Sequence, residues 1–135
     1  MDAIKQYMQP KWWLIVVGTI FTILGLMTYI DGEGAAETGW GDDYTDNDVF
    51  YEKAWAATYL IIAIICLVSG QFVEGRSQAI LAMTIGVGNI LNFILVYLAA
   101  GDLSYGFTED PTSAAPPMVM AVGLFLSGYL HLEDE

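Results

Sequence analysis

The sequence predicts an all-α integral membrane protein: one domain, residues 1–135, folded as an antiparallel bundle of four transmembrane helices. Two observations carry this prediction. The chain is 56% hydrophobic and yet has a formal net charge of −12. High net charge together with low hydrophobicity is typical of disorder, but this chain is high in both. The apolar and the charged residues must therefore be segregated along its length. Its apolar residues fall into four runs of about 20 residues, the length of helix that crosses a bilayer.

The predicted spans cover about 12–30, 54–72, 78–100 and 116–132. None of them contains Asp, Glu, Lys or Arg. A buried helix of a small soluble domain would show polar residues at every turn, and these runs do not. The short 71–77 turn predicts close, antiparallel packing of the second and third spans, with Gly75 allowing the reversal. Pro116 and Pro117 suit the first turn of the fourth span.

The four basic residues predict the orientation. Lys5, Lys11 and Arg76 lie on one side of the predicted bundle and Lys53 on the other, which favours cytoplasmic N- and C-termini. Residues 31–53 and 101–115 then form two acidic outer loops, and 32–41 is expected to be irregular because it is rich in glycine. These loops carry eleven acids: Asp31, Glu33, Glu37, Asp42, Asp43, Asp46, Asp48, Glu52, Asp102, Glu109 and Asp110. The net charge is therefore mostly a property of the outer face.

The densest acidic cluster is the candidate outer site. It consists of Asp42, Asp43, Asp46, Asp48 and Glu52. Oxygen-rich clusters suit Ca²⁺, but no register places the EF-hand ligands and glycine correctly, so a weak calcium site is only an alternative. We interpret the cluster as a surface that attracts cations or docks a basic soluble protein, with adaptation to a salty exterior as the plainer explanation. Nucleic acid is excluded as a partner, because four scattered bases cannot neutralise a run of phosphates.

Small and polar residues within the spans form the second candidate site. Thr84, Gly88 and Asn92 recur at i, i+4 and i+8 on the third span, with Asn89 beside them. Such stripes usually hold helices together, within the chain or between subunits. The alternative is an ion or ligand pathway lined by Asn89 and Asn92. The same packing interpretation applies to the following residues of the first and fourth spans: Gly18, Gly25, Gly123 and Ser127.

The layout resembles the small four-helix bacterial membrane proteins of the DoxX-like group. The first span ends near Tyr29 and Ile30, a polar outer loop follows, the second and third spans are tightly coupled, and Pro116 begins the fourth. The resemblance implies a bacterial or archaeal cell-membrane protein. It also implies a redox-associated membrane subunit as one function.

These observations leave three functional hypotheses. The leading one is a non-catalytic subunit of a larger membrane assembly, whose partners are membrane lipid, other membrane subunits or further copies of this chain. The second is a small oligomeric channel or transporter lined by Asn89 and Asn92, and the third is the DoxX-type redox subunit. The absence of Asp, Glu, Lys and Arg from the spans argues against a proton-coupled pump or transporter. No cofactor and no metal site are predicted beyond the alternative calcium site, whereas bound lipid is expected.

Overall fold

A computed structural model describes residues 2–101 and 103–133, so Asp102 of the predicted second outer loop lies outside the described residues. The regular elements of this part of the chain are all helical. They are α1 Asp2–Tyr7, α2 Pro10–Ile30, α3 Gly32–Trp40, α4 Asp46–Phe72, α5 Gly75–Ala100, α6 Gly106–Glu109, a 3₁₀ helix Pro111–Ala114 and α7 Ala115–Leu130. This confirms the all-α prediction.

Four candidate spans are long and apolar enough to cross a membrane, judged by length and composition. They are Ile4–Ile30, Asp46–Phe72, Gly75–Ala100 and Pro111–Leu130. Many of their large apolar side chains are exposed, among them Ile64, Leu98 and Val119. A hydrocarbon environment would cover such a surface without cost, whereas water would not.

The first half of the bundle is the antiparallel pair formed by α2 and α4. Glycines of both helices allow the two backbones to approach. A Cβ on Gly18 would lie 2.8 Å from Leu67 Cγ, and one on Gly25 would lie 3.0 Å from Leu60 Cγ. At the other end of the pair, a Cβ on Gly70 would lie 2.9 Å from Ile15 Cγ1.

The second half is the pair formed by α5 and α7, which also run antiparallel. A Cβ on Gly86 would lie 2.5 Å from the Phe125 amide nitrogen, and a Cβ on Gly128 would collide with the carbonyl oxygen of Ala79. The two pairs join where the Trp13 ring packs directly onto Gly123. The buried core at the centre is formed by Leu14, Val17, Phe21, Ala63, Cys66, Ala82 and Leu124.

Helices α4 and α5 are consecutive, but they touch each other sparsely along their length. The expected close packing of these two spans is therefore limited to the turn between them. There Gly75 has a φ of 58°, in the left-handed region that favours glycine. Gln78 stabilises the turn, because its buried amide nitrogen donates to the carbonyl oxygens of Val73 at 2.6 Å and Ser69 at 3.1 Å. The Val73 carbonyl lies beyond the last residue of α4, while the Ser69 carbonyl also accepts from the Val73 amide at 3.3 Å.

The glycine-rich stretch expected to be irregular is helical instead. It forms α3 immediately after α2, and the Asp31 carboxylate starts it by accepting a hydrogen bond from the Gly34 amide at 3.1 Å. Gly32 allows the stem of Lys53 to pack against it, and Ala36 is buried. Tertiary contact with α4 thus outweighs the low helix propensity of glycine. Helix α4 also begins earlier than predicted, at Asp46 rather than near residue 54.

Candidate functional site

The antiparallel pairs place three of the four basic residues at one end of the bundle and most of the acidic residues at the other. One end holds the start of α2, the α4–α5 turn and the end of α7, and it includes Lys5, Lys11 and Arg76. At this end, Nε2 of the buried His131 lies 3.0 Å from the carbonyl oxygen of Lys5, which joins the end of α7 to α1. The other end holds α3, the start of α4 and α6, and we call it the acidic end.

A cavity of about 1060 Å³ opens at the acidic end, and we call it the outer cavity. All the long helices contribute to its wall, together with α3 and α6. Most of the lining is apolar or aromatic, for example Leu24, Trp55 and Phe93. Three carboxylates also line it, those of Asp31, Glu52 and Asp110. Among the described lining residues there is no Lys, Arg or His, so any charge that this cavity presents is negative.

Glu52 is the central polar group of the outer cavity. It lies in the second turn of α4 and is only 7% exposed. Its Oε1 accepts a hydrogen bond of 2.8 Å from the Tyr105 hydroxyl and a longer one of 3.3 Å from Trp40 Nε1. Glu52 therefore connects α3, α4 and the segment between α5 and α6. A buried carboxylate is stable only when such donors replace lost water.

Aromatic rings surround this carboxylate. The Trp40 and Tyr105 rings meet edge to face with their centroids 4.9 Å apart, and the Trp55 and Tyr59 rings stack at 5.7 Å. Burial raises the pKa of the Tyr105 phenol, and the charge of Glu52 and its hydrogen bond raise it further. The phenol, which is protonated at neutral pH in any case, therefore remains a donor to Glu52 further into the alkaline range.

The other members of the predicted acidic cluster do not line the outer cavity with Glu52. Asp42, Asp43 and Asp46 are exposed. Asp48 accepts hydrogen bonds from the Thr45 amide at 2.8 Å and the Thr45 hydroxyl at 2.7 Å, so it caps the start of α4. Within residues 2–101 and 103–133, no three His, Cys, Asp or Glu side chains form a group suited to a metal ion. The calcium hypothesis gains no support from this geometry.

At the second predicted site, the stripe of Thr84, Gly88 and Asn92 lies on an exposed side of α5. A Cβ on Gly88 would meet no atom within 4 Å, and the Asn89 side chain donates to the Ile85 carbonyl at 2.8 Å within its own helix. Beside the stripe, a groove of about 250 Å³ separates α4 from α5. We call it the α4–α5 groove, and its lining is Thr58, Ile62, Ile65, Ile85, Gly88, Asn89 and Asn92. Asn92 lines both the groove and the outer cavity.

The remaining predicted packing residues lie inside the bundle. Gly18 and Gly25 face α4, and Gly123 holds the Trp13 ring. Ser127 is fully buried, and its hydroxyl donates to the Leu124 carbonyl at 2.8 Å within α7.

Sequence reasoning did not single out Tyr59, Gln78 or Tyr105, although the structure gives each a defined role. Tyr59 and Tyr105 belong to the aromatic group around Glu52, while Gln78 holds the α4–α5 turn. A usable signal existed for Gln78, which lies three residues after Gly75 in the short turn between two predicted spans. For Tyr105 there was none, because its partner lies 53 residues earlier in the chain.

The chain has no match among protein-family models, curated proteins or solved structures. Its class therefore rests on its own helices. It is a small helical membrane protein with four candidate spans. The likeness to the DoxX-like group extends no further than this layout.

Proposed function

We propose that this protein is a subunit of a larger membrane assembly, and that a transmembrane helix of another polypeptide occupies its α4–α5 groove. The observation that carries the proposal is the exposed stripe of Thr84, Gly88 and Asn92, of which Gly88 and Asn92 line that groove. In hydrocarbon, such small and polar surface gains stability when a second helix packs closely against it.

The contrast with the other span glycines supports this proposal. Gly18, Gly25, Gly86 and Gly128 each allow a close approach of two helices within the chain. Gly88 has open space beside it. A glycine in a helix interior destabilises the helix by about 1 kcal/mol relative to alanine. Because Gly88 makes no close contact inside the chain, a contact with another polypeptide explains the glycine best.

The orientation that fits this proposal follows from the charges. Lys5, Lys11 and Arg76 share one end, which we place in the cytoplasm together with both termini of a bacterial or archaeal cell-membrane protein. The acidic end then faces outward, where its exposed carboxylates attract cations or a basic soluble partner.

The test is Gly88→Leu. We expect this substitution to release the partner polypeptide, because a leucine side chain fills the groove that the partner helix needs, and to reduce the co-purified amount about tenfold or more. The chain itself should stay folded, since nothing lies within 4 Å of the added Cβ. The measurement is quantitative co-purification of the tagged chain from its native membrane in mild detergent.

Ala57→Leu is the matched control. Ala57 is an exposed small residue of α4 that does not line the groove. The control should leave the assembly intact. Equal loss with both variants, or recovery of the parent chain only as a single-component homo-oligomer, would contradict the subunit proposal.

A second candidate function is an oligomeric channel or transporter, favoured by one observation. Asn92 lines both the outer cavity and the α4–α5 groove, so this polar residue borders both spaces. Amide side chains that replace hydration along such a path lower the cost of moving a polar solute through hydrocarbon.

For this second candidate, the double substitution Asn89→Leu and Asn92→Leu should abolish solute flux into liposomes that contain the purified chain. The apolar lining no longer replaces water around the solute. Circular dichroism of the reconstituted protein should be unchanged, because the hydrogen bond that Asn89 loses is a local one to Ile85 within its own helix. Flux equal to that of the parent would reject the pathway.

A further inference from the structure

We propose that the outer cavity binds an organic cation, namely a substituted ammonium group, with Glu52 as its counter-charge and aromatic rings as its walls. This site is distinct from the α4–α5 groove that carries the assembly proposal, and the two share one lining residue, Asn92. It adds a ligand class to the protein rather than a partner.

The charge of the lining selects a cation. Asp31, Glu52 and Asp110 all contribute to the outer cavity, and its described lining contains no basic side chain. Asp31 and Asp110 are exposed, whereas Glu52 is buried, and a buried carboxylate attracts a positive ligand more strongly than one in water. An anion would meet only repulsion here.

Glu52 has the geometry of a ligand-binding carboxylate. It is 7% exposed, and both of its hydrogen-bond donors, Trp40 and Tyr105, are uncharged. Both donors reach Oε1, and among the described residues no hydrogen bond reaches Oε2. The negative charge is thus fixed in position but not neutralised, and one oxygen is open to a ligand. A cation that enters would complete an ion pair which burial makes strong.

The aromatic walls distinguish an organic cation from a metal ion. Trp55, Tyr59 and Tyr105 line the same cavity as Glu52. Aromatic faces attract ammonium groups, and cages of such rings are the usual recognition device for quaternary ammonium ligands. Calcium would require six to eight oxygen ligands, which this largely apolar lining does not supply.

The volume of the outer cavity fits this class. About 1060 Å³ is at the upper end of the range of small-molecule pockets, so there is room for an ammonium group together with an apolar substituent. The substituent would contact the aliphatic part of the wall, for example Leu24, Met27 and Val96.

The test uses the full chain purified in an uncharged detergent and isothermal titration with three probes. They are choline, its uncharged carbon isostere dimethylbutanol, and benzyltrimethylammonium. We expect choline to bind, dimethylbutanol to bind at least about tenfold more weakly, and benzyltrimethylammonium to bind more tightly than choline because it adds an apolar ring.

Glu52→Gln is the decisive variant, because the glutamine oxygen can still accept from Tyr105 and Trp40 while the charge is removed. It should weaken choline binding by about tenfold or more. Asp43→Asn changes the net charge equally at an exposed residue outside the cavity lining, and it should leave affinity unchanged. Trp55→Leu keeps the carboxylate and should weaken choline binding by removing an aromatic face, which keeps the proposal testable if Glu52→Gln fails to fold.

Three results would overturn the proposal: no choline binding by the folded parent at millimolar concentration, equal affinity for dimethylbutanol, or equal losses with Glu52→Gln and Asp43→Asn. The ammonium group can belong to a free solute or to a lipid headgroup, and nanodiscs separate these sources. Competition by phosphatidylcholine but not phosphatidylglycerol identifies a headgroup, and competition by neither identifies a free solute. Equal competition by both lipids would contradict recognition of the ammonium charge.

Discussion

Replacing Gly86 by leucine is expected to unfold the α5–α7 half of the bundle. A Cβ at this position would lie 2.5 Å from the Phe125 amide nitrogen and 2.6 Å from the Ala121 carbonyl oxygen. Both are backbone atoms of α7, so no side-chain rotation can relieve the collision, and the two helices must separate. Overpacking of a closed contact costs up to about 3 kcal/mol even where side chains can adjust, so we expect a loss of at least that size.

The measurement is the free energy of unfolding in mixed micelles, with the helical circular dichroism signal as the readout. Gly88→Leu is the matched control, because it introduces the same side chain two residues further along α5, where no atom lies within 4 Å. The control should keep or slightly raise stability, since leucine favours helix over glycine by up to about 1 kcal/mol. Equal destabilisation by both substitutions would show that α5 and α7 do not meet at Gly86.

The comparison of these two glycines also shows what sequence alone can establish. The four spans were predictable because long uncharged apolar runs have few alternatives. The contact face of α5 was not. The sequence drew attention to the polar stripe at Thr84, Gly88 and Asn92, whereas the internal contact uses Ala79, Ala82 and Gly86. Lipid is as apolar as a protein core, so apolar periodicity does not reveal which face of a span meets another helix.

The acidic end was harder to predict for a related reason. The sequence pattern assigned Glu52 to an exposed loop together with its acidic neighbours. Composition alone does not show which acidic side chain will be buried by residues distant in the sequence. Its burial depends on α3 and on Tyr105, which lies far along the chain. The sequence does not favour α3 as a helix, because the segment is rich in glycine and glycine has a low helix propensity. Contacts of that range are decided by tertiary packing and leave no local pattern in the sequence.

Removing the acceptor at Glu52 is the second large effect that we expect. In Glu52→Leu the volume is nearly kept, but the Tyr105 hydroxyl and Trp40 Nε1 lose their common partner. An unsatisfied buried donor costs about 1–3 kcal/mol, so the combined loss should be about 2 kcal/mol or more. Because Glu52 joins α3 and the segment before α6 to α4, we expect faster hydrogen exchange in α3 and around Tyr105, with the α5–α7 contact unaffected.

Tyr105→Phe provides the internal control for this prediction. It removes only the 2.8 Å bond and should cost about 1 kcal/mol, the usual net value of one hydrogen bond. In the Glu52→Leu background the same substitution should cost less, because the hydroxyl no longer has its acceptor. If Glu52→Leu left both stability and exchange unchanged, Glu52 would not hold these segments together.

The raised pKa of Tyr105 adds a pH signature to the same contact. The folded protein holds the phenol proton more tightly than the unfolded chain, so the contribution of Tyr105 to stability is fully present below the unfolded value of about 10 and is lost as pH rises above it. Tyr105→Phe removes this group, and its unfolding free energy should therefore fall less steeply above pH 10 than that of the parent. Parallel alkaline profiles would mean that the phenol is not protected in the folded state, and the hydrogen bond to Glu52 would then be too weak to hold the acidic end together.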